Sequence, residues 1–208
     1  MSVRESYNEW SVQYDTNQNK TRDMESVALK KVLQNLDFKN CLEIGCGTGK
    51  NSVWLITKAI QLTGVDLSEG MLKKAKEKIR SSNAEFIQAD ITKPWVFNNK
   101  KYDLITFSLV LEHIADLEHI FAEASKKLDQ NGYLYLGELH PFKQYAGSKA
   151  RFDTDKGVQV VECYTHNISD FIGIGQRNGF SLMHLDEYFD DKEDGSIPRL
   201  LTILFKKA

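Results

Sequence analysis

The chain has 208 residues, of which 41% are hydrophobic and 27% charged, and it carries a net charge of −2 with a pI near 6.2. Its length suits one domain with one good-sized core and is short for two. The balanced charge gives no electrostatic footprint for nucleic acid or an anionic membrane, which favours a small-molecule partner.

Membrane, export and redox signals are weak throughout the sequence. The stretch MSVRESYNEW lacks the apolar region of a secretory signal, and no apolar run is long enough to span a bilayer. The cysteines, Cys41, Cys46 and Cys163, show no paired CxxC spacing. We therefore expect small buried thiols at Cys41 and Cys46, no metal site and a cytoplasmic protein.

Helical patterns begin in the first forty residues and recur along the chain. Asn131-Gly132 is expected to end the third amphipathic stretch, since glycine tolerates the left-handed conformation of a helix stop. Ser169 is expected to cap the last helix, and Gly179 to end it. The helices are predicted over 24–36, 71–79, 117–128 and 169–179.

Short apolar runs alternate with these helices, which predicts an α/β fold with a mostly parallel sheet. After residue 179 two strand-like segments follow each other, 180–191 and 199–207, so an antiparallel hairpin is expected at the end. The long stretch 141–167 is predicted to be a functional lid or a flexible segment. The five earlier strands are NCLEIG (40–45), IQLTGVDL (60–67), AEFIQAD (84–90), YDLITFSLVL (102–111) and YLYLGEL (133–139).

The glycine-rich turn LEIGCGTGK after the first strand excludes two common nucleotide motifs. Lys50 stands where a phosphate-binding loop starting at Gly45 needs its second glycine, and the other register would need glycine at Ile44. Lys50 also replaces the third glycine of the dinucleotide fingerprint GxGxxG. The remaining pattern, ExGxGxG with Glu43, brings backbone N–H groups close to a ligand, and its acid favours a cationic ligand.

Further acids follow the next strands, where ligands bind in open α/β sheets. Asp66 is placed to accept ribose hydroxyls, and Asp90 to accept an exocyclic adenine amine, unless Asp90 only caps the following turn. Leu67 and Ile91 would form apolar walls, and Ser108 ends the fourth strand. A nucleoside that carries an amino acid and no phosphate fits these groups.

Four motifs in this order and spacing, LEIGCGTG, GVDLSEGML, FIQADI and YDLITFSLVLEHI, resemble those of the class I S-adenosylmethionine-dependent methyltransferases, in their small-molecule branch. The resemblance continues through NGYLYLGELHP and the closing hairpin. It implies a Rossmann-like three-layer sandwich whose seven-stranded sheet is mostly parallel, with the last strand antiparallel. It also implies one domain over 1–208, divided into a helical lid (1–40), a cofactor-binding core (41–140), a substrate-side insertion (141–167) and a final helix with hairpin (168–208).

The same resemblance implies roles for individual residues. Glu43 would order the glycine loop and the amino-acid end of the cofactor. His113 would lie near the sulfonium as a candidate catalytic residue, unless it is a structural histidine at the start of a helix. In the N-terminal lid, Tyr14 would face the sulfonium and Arg22 would pair with the cofactor carboxylate, while Trp10 and Tyr7 are either lid residues or packing. The cofactor would also contact Gly45, Cys46, Gly47, Gly49, Ser108 and Leu109, the last two through their backbone position.

Two residues of GELHP are candidate bases on the substrate side. The imidazole of His140 can take a proton near neutral pH, and Glu138 is a second candidate. The alternative for His140 is an anchor for the turn before Pro141. His119 is expected on a solvated helix face.

These features predict methyl transfer from S-adenosylmethionine to an oxygen, nitrogen or carbon of a small molecule, with S-adenosylhomocysteine as product, by a monomer or homodimer. A non-catalytic S-adenosylmethionine-binding sensor or partner subunit has the same motifs and stays open. An NAD-dependent oxidoreductase is disfavoured by the missing third glycine and the lack of a substrate domain. No NPPY-type motif follows the fourth strand, which disfavours amide N-methylation of nucleic acid or protein.

Overall fold

Six strands of the main sheet begin within one residue of the predicted apolar runs, whereas the fifth strand begins at Leu128, five residues before its predicted start. A computed structural model describes residues 2–154, 157–190 and 196–208. Within these ranges the seven strands of the main sheet are β1 (Asn40–Ile44), β2 (Gln61–Asp66), β3 (Ala84–Gln88), β4 (Tyr102–Ser108), β5 (Leu128–Leu139), β8 (Phe180–Tyr188) and β9 (Leu200–Lys207), while β6 (Arg151–Thr154) and β7 (Gly157–Val160) form a separate hairpin.

The main sheet has the strand order β3-β2-β1-β4-β5-β9-β8. Strands β1 to β5 pair in parallel, and β9 is antiparallel to both of its neighbours, β5 and β8. This confirms the predicted Rossmann-like α/β fold with a seven-stranded, mostly parallel sheet. The strand order reverses between β1 and β4, so a binding crevice is expected at their carboxyl ends.

Helices cover both faces of this sheet because its strands bury side chains on each side. Along β4, Ile105 and Phe107 pack in one core, and Leu104 packs in the core on the opposite face. Within the described residues, no helix combines the length and apolar character needed to cross a membrane. The helices are α1 (Val3–Trp10), α2 (Lys20–Leu33), α3 (Ser52–Lys58), α4 (Glu69–Lys78), α5 (Leu117–Lys127), α6 (Pro141–Tyr145) and α7 (Ile168–Arg177), with a short 3-10 helix at Leu111–His113.

Two predicted helix caps are wrong, and α2 spans Lys20–Leu33 where the sequence predicts 24–36. Helix α5 ends at Lys127, and Asn131, with a φ of 64°, lies inside an irregular part of β5. Helix α7 is capped by Asn167 and not by Ser169, because the Asn167 N–H donates to Asp170 Oδ2 at 2.8 Å. The local polar residue that completes this reciprocal cap decides the start of the helix.

The insertion 141–167 contains α6 and the hairpin β6–β7, and it packs against the N-terminal segment. The ring of Phe152 in β6 stacks on Trp10 at the end of α1, with ring centroids 5.1 Å apart and an interplanar angle of 12°. Met71 of α4 and Val161 complete this apolar cluster. The insertion and the N-terminal helix are therefore packed against each other.

Candidate active site

A cavity of about 540 Å³ lies at the carboxyl ends of β1 to β4, under α1. Its walls bring together residues that follow four different strands, as the topology of the sheet requires. Arg4, Thr92 and Ile114 also line the cavity, and the sequence analysis did not single them out. The predicted site residues in the walls are Tyr14, Gly45, Gly47, Asp66, Leu67, Asp90, Ile91, Ser108, Leu109 and His113, with Tyr7 from the lid.

The glycine loop lets a ligand approach the backbone closely, but it offers that ligand few free hydrogen-bond donors. The N–H groups of Gly45 and Cys46 both donate to the Val65 carbonyl, at 2.7 and 3.0 Å, and the Gly47 N–H donates to Asp66 Oδ2 at 2.9 Å. The expectation that these N–H groups face a ligand is therefore wrong. A phosphate cradle needs such donors free, so this loop suits a ligand without phosphate.

Gly45 and Gly49 are packed against neighbouring side chains, whereas Gly47 faces the cavity. A Cβ on Gly45 would lie 2.1 Å from Val110 Cγ2, and a Cβ on Gly49 would lie 3.1 Å from Ile79 Cδ1 near α4. At Gly47 a Cβ would meet nothing within 4 Å. Gly49 and the buried thiol of Cys46 are not among the residues that line the cavity.

Asp66 is fixed at the tip of β2 by two backbone donors. Its Oδ2 accepts from Gly47 N at 2.9 Å, and its Oδ1 accepts from Ser68 N at 2.8 Å. Burial raises the pKa of the Asp66 carboxyl. A carboxylate has about four lone-pair sites, so Asp66 retains acceptor capacity toward the cavity.

Asp90 lines the cavity and also caps the next turn. Its Oδ1 accepts from Thr92 N at 3.0 Å and from Thr92 Oγ1 at 2.6 Å. The turn-capping alternative is thus present in the structure. It does not remove Asp90 from the cavity wall.

Glu43 lies behind the glycine loop and outside the cavity wall. It is 3% exposed, and its Oε2 accepts from the hydroxyl of Ser52 in the first turn of α3. Burial is the main cause that raises the pKa of Glu43 to about 8. The carboxyl therefore joins β1 to the helix that the loop opens, which fits the loop-ordering half of its expected role.

The structure does not bring the two candidate bases of GELHP to the cavity. His140 is fully buried, where Nε2 lies 2.8 Å from Glu187 Oε1 and Nδ1 accepts from Phe142 N at 3.1 Å. The alternative of an anchor for the first turn of the insertion describes this geometry. His119 is half-exposed on α5, with Nε2 3.2 Å from the Lys93 carbonyl.

Glu138 is also withdrawn from the cavity because it supports the chain after β4. Its Oε1 accepts from Val110 N at 3.2 Å and from Leu111 N at 3.1 Å. It is 3% exposed, and burial is the first cause that raises its pKa to about 8. Glu138 therefore holds the backbone that carries Leu109 and His113.

Arg22 lies behind Tyr14 in the lid. Its guanidinium carbon is 4.2 Å from the centroid of the Tyr14 ring, and Nη2 donates to the Asn17 carbonyl at 2.5 Å. The buried Nη1 has no hydrogen-bond partner within the described residues. A buried cation with an unpaired donor is costly, so this nitrogen fits an anionic group of a ligand.

Glu25 of α2 was missed by the sequence analysis. It is 2% exposed and accepts from Asn51 Nδ2 at 2.7 Å and from Ser108 Oγ at 2.7 Å, so it joins α2 to the glycine loop and to β4. Burial is the largest cause that raises its pKa to about 7. A signal existed, because Glu25 shares the buried face of α2 with Leu29 and Leu33.

Comparisons with known proteins agree with this geometry. A family model described as a methyltransferase domain matches residues 42–136. An uncharacterized methyltransferase of Emericella nidulans is 25% identical, over 88% of this chain and 77% of that protein. A ubiquinone biosynthesis O-methyltransferase of Pelagibacter ubique is 25% identical, over 81% and 71%.

Among solved structures, the N-methyltransferase NodS of Bradyrhizobium japonicum, in complex with S-adenosyl-L-homocysteine, has a TM-score of 0.74 at 18% identity and covers 100% of this chain and 99% of that chain. Residues 42–136 thus match a methyltransferase domain, and the chain resembles the class I S-adenosylmethionine-dependent methyltransferases in fold. NodS binds S-adenosyl-L-homocysteine, the product form of the cofactor that the motifs after β1 to β4 imply for this chain.

The described residues of this methyltransferase fit that cofactor. S-adenosylmethionine carries an amino acid and a sulfonium in place of phosphate, and the loop donors are already used within the protein. The cavity offers the carboxylates of Asp66 and Asp90, and the unpaired Nη1 of Arg22 lies behind the Tyr14 ring. The two carboxylates suit hydroxyl and amine donors of the cofactor, whereas Arg22 is not among the residues that line the cavity.

Proposed function

We propose that this methyltransferase acts on an oxygen, nitrogen or carbon nucleophile of a small molecule. One observation carries the proposal: a single cavity joins the strand tips suited to the cofactor with the lid residues Tyr7 and Tyr14 and with His113. The cover formed by α1 and the insertion would enclose an acceptor of small size. The net charge of −2 speaks against a polyanionic acceptor.

In this proposal Asp66 accepts the ribose hydroxyls, and Asp90 accepts the adenine amine between Leu67 and Ile91. Arg22 pairs with the carboxylate, and the electron-rich face of Tyr14 stabilises positive charge. Glu43 stabilises the glycine loop from outside the cavity, because its carboxyl accepts a hydrogen bond from Ser52 of α3. Ser108 and Leu109 contribute backbone at the end of β4, and Leu109 has a φ of 58° there.

S-adenosylmethionine supplies an electrophilic methyl group, so the protein has chiefly to align the acceptor and exclude water. In this proposal α1 and the insertion exclude water from the cavity, because the Trp10–Phe152 stack holds α1 in place. Gln13 Nε2 adds a hydrogen bond to the Asp153 carbonyl at 2.6 Å. The N-terminal segment and the hairpin thus close the site together.

Relatives of named function act on different acceptor atoms. The Pelagibacter ubique relative is a ubiquinone biosynthesis O-methyltransferase, and NodS is an N-methyltransferase. Both names support a heteroatom of a small acceptor as the methylated position here. The identity of the acceptor is then a question for a metabolite screen.

The screen would incubate the purified protein with S-adenosylmethionine and fractionated metabolites and measure S-adenosylhomocysteine by mass spectrometry. We expect product in at least one fraction and none without protein. Asp66→Ala should weaken cofactor binding about 10- to 100-fold by calorimetry, because a charge-assisted acceptor for two hydroxyls is lost. Glu85→Ala, an exposed carboxylate on β3, is the control, and unchanged affinity in a folded Asp66→Ala protein would contradict the ribose assignment.

A further inference from the structure

A short chain of hydrogen bonds links the lid to the insertion through His113. Tyr7 Oη lies 2.8 Å from His113 Nε2, and His113 Nδ1 lies 2.8 Å from the Glu162 carbonyl oxygen. A carbonyl only accepts, so Nδ1 must carry the ring proton in the neutral imidazole. The lone pair is then on Nε2, and the Tyr7 hydroxyl donates to it.

A buried acid stands beside this ring and is used nowhere else in the site. Glu112 Oε1 lies 3.9 Å from His113 Nε2, and Glu112 is 8% exposed. Its Oε2 has no hydrogen-bond partner within the described residues. Burial raises the pKa of Glu112, and the charge of His113 lowers it, so a proton on His113 favours the carboxylate.

The other polar groups around the ring do not compete for that proton. Cys163 Sγ lies 3.9 Å from His113 Nδ1, and burial is the main cause that raises the Cys163 pKa to about 12. Burial also raises the pKa of Tyr7 well above its usual value, with Tyr14, Glu112 and Asp66 adding to the effect. Tyr7 therefore stays a phenol and can release its proton only while taking up another.

Tyr7 and His113 both line the cavity, so an acceptor can reach the hydroxyl end of the chain. We propose that Tyr7 and His113 form a proton relay that deprotonates an O–H or N–H methyl acceptor. This inference rests on the proposed function and deepens it. It gives the buried Glu112 a role as the partner of the imidazolium.

The relay moves one proton during each transfer. The acceptor atom forms its bond to the methyl carbon, and the electron pair of the broken carbon–sulfur bond stays on sulfur. The proton of the acceptor passes to Tyr7 Oη as the Tyr7 proton passes to His113 Nε2. The positive charge of the sulfonium thus ends on His113 beside the Glu112 carboxylate.

The kinetic test uses Tyr7→Phe, His113→Gln and the double variant with the acceptor found in the screen. We expect kcat to fall about 100-fold or more in each single variant, since general base catalysis contributes about that factor. The double variant should lose no more than either single one, because the two residues act in one chain. Binding of S-adenosylhomocysteine by calorimetry should change little.

The pH profile separates a relay from a structural role. In the wild type kcat/KM should fall toward acid pH, because protonated His113 cannot accept a proton, and this limb should vanish in His113→Gln. Tyr145→Phe and His119→Gln change residues outside the cavity wall and serve as matched controls. Full turnover in Tyr7→Phe, or additive losses in the double variant, would overturn the relay.

A second readout needs no acceptor. With S-adenosylhomocysteine bound, the ¹⁵N spectrum of histidine-labelled protein should show one ring in the Nδ1–H form whose Nε2 resonance shifts in Tyr7→Phe and disappears in His113→Gln. An Nε2–H tautomer for that ring would overturn the relay. If the wild type methylates nothing in the screen, the proposed function fails, and this spectrum still decides the hydrogen-bond chain on which the relay depends.

Discussion

Three glycines with positive φ follow β1, and each has different neighbours in the structure. Gly45 packs on Val110 and Gly49 on α4, so larger residues there would disturb the fold. Gly47, with a φ of 53°, opens on the cavity and has free space where a side chain would begin. The sequence pattern treats all three alike, and only the packing around them separates a structural glycine from one that shapes the cavity.

Gly47→Ala should therefore weaken cofactor binding at least 10-fold while the protein remains folded. The new methyl group would occupy cavity volume, and the left-handed conformation would cost on the order of 1 kcal/mol of stability. Calorimetric titration with S-adenosylhomocysteine measures the affinity, and thermal unfolding measures the strain.

Gly147→Ala is the matched control for this change. Gly147 has a φ of 91° and also has nothing within 4 Å of a built Cβ, but it lies in the insertion and outside the cavity wall. It should show a similar loss of stability with unchanged affinity. Equal affinity losses in both variants would show that backbone strain, and not cavity volume, explains the Gly47 effect.

Residues that follow buried strands could be placed from sequence, whereas residues fixed by distant partners could not. Asp66 and Asp90 lie in the cavity wall because parallel strands end at one edge of the sheet. His140 follows a strand in the same way, but its partner Glu187 is 47 residues away and turns the ring inward. Glu25 enters the site from α2, which no strand-end rule predicts.

At the scale of elements, α1 is fastened to the start of α4. Asn8 Oδ1 accepts from Ser68 Oγ at 2.7 Å and from Gly70 N at 3.1 Å. Ser68 in turn caps α4, since its Oγ accepts from Met71 N at 3.1 Å. The lid that carries Tyr7 is thus tied to the helix that follows Asp66.

Asn8→Ala should loosen α1 without unfolding the sheet. Two hydrogen bonds are lost, each worth about 1 kcal/mol, so amide exchange over 3–10 should rise about 10-fold or more while the β1 and β4 amides stay protected. Hydrogen–deuterium exchange with mass spectrometry resolves these segments. Faster cofactor dissociation should accompany the change, because α1 lines the cavity.

Glu9→Ala changes an exposed neighbour on the same helix and should leave exchange over 3–10 unchanged. A uniform rise in exchange across lid and sheet in Asn8→Ala would mean that the contact supports the whole fold. That result would contradict a separately opening lid.

The insertion shows why some elements escape sequence analysis. Strands β6 and β7 are short, and most of their side chains are exposed or half-buried, so no periodic apolar pattern marks them. Their position depends on contacts such as the Phe152–Trp10 stack, which joins residues far apart in the chain. The strands of the main sheet carry their own signal because they are buried on both faces.

At the scale of the whole molecule, buried acids gather around the carboxyl edge of the sheet. Glu25, Glu43 and Glu138 come from α2, β1 and β5, and burial is the first cause that raises their pKa values to about 7, 8 and 8. The charge of Glu25 further raises the pKa of each of the other two. The cofactor edge is therefore built from carboxyls that resist ionisation in the folded protein.

This arrangement predicts that the unliganded protein loses stability between about pH 5 and pH 8. A carboxyl whose folded pKa exceeds its unfolded value binds more protons when folded. Its contribution to the free energy of unfolding is therefore complete below the unfolded pKa and declines as pH rises through the folded one.

Glu25→Gln should flatten this decline and leave the protein on the order of 2 kcal/mol more stable than wild type at pH 8. The glutamine oxygen can still accept from Ser108. Its amide can donate to Asn51 Oδ1 once the Asn51 side-chain amide rotates, because Asn51 Nδ2 is the atom that faces Glu25 in the wild type. Urea unfolding at several pH values measures the slope, with Glu85→Gln on the exposed surface as control, and an identical slope in Glu25→Gln and wild type would show that Glu25 ionises normally in the fold.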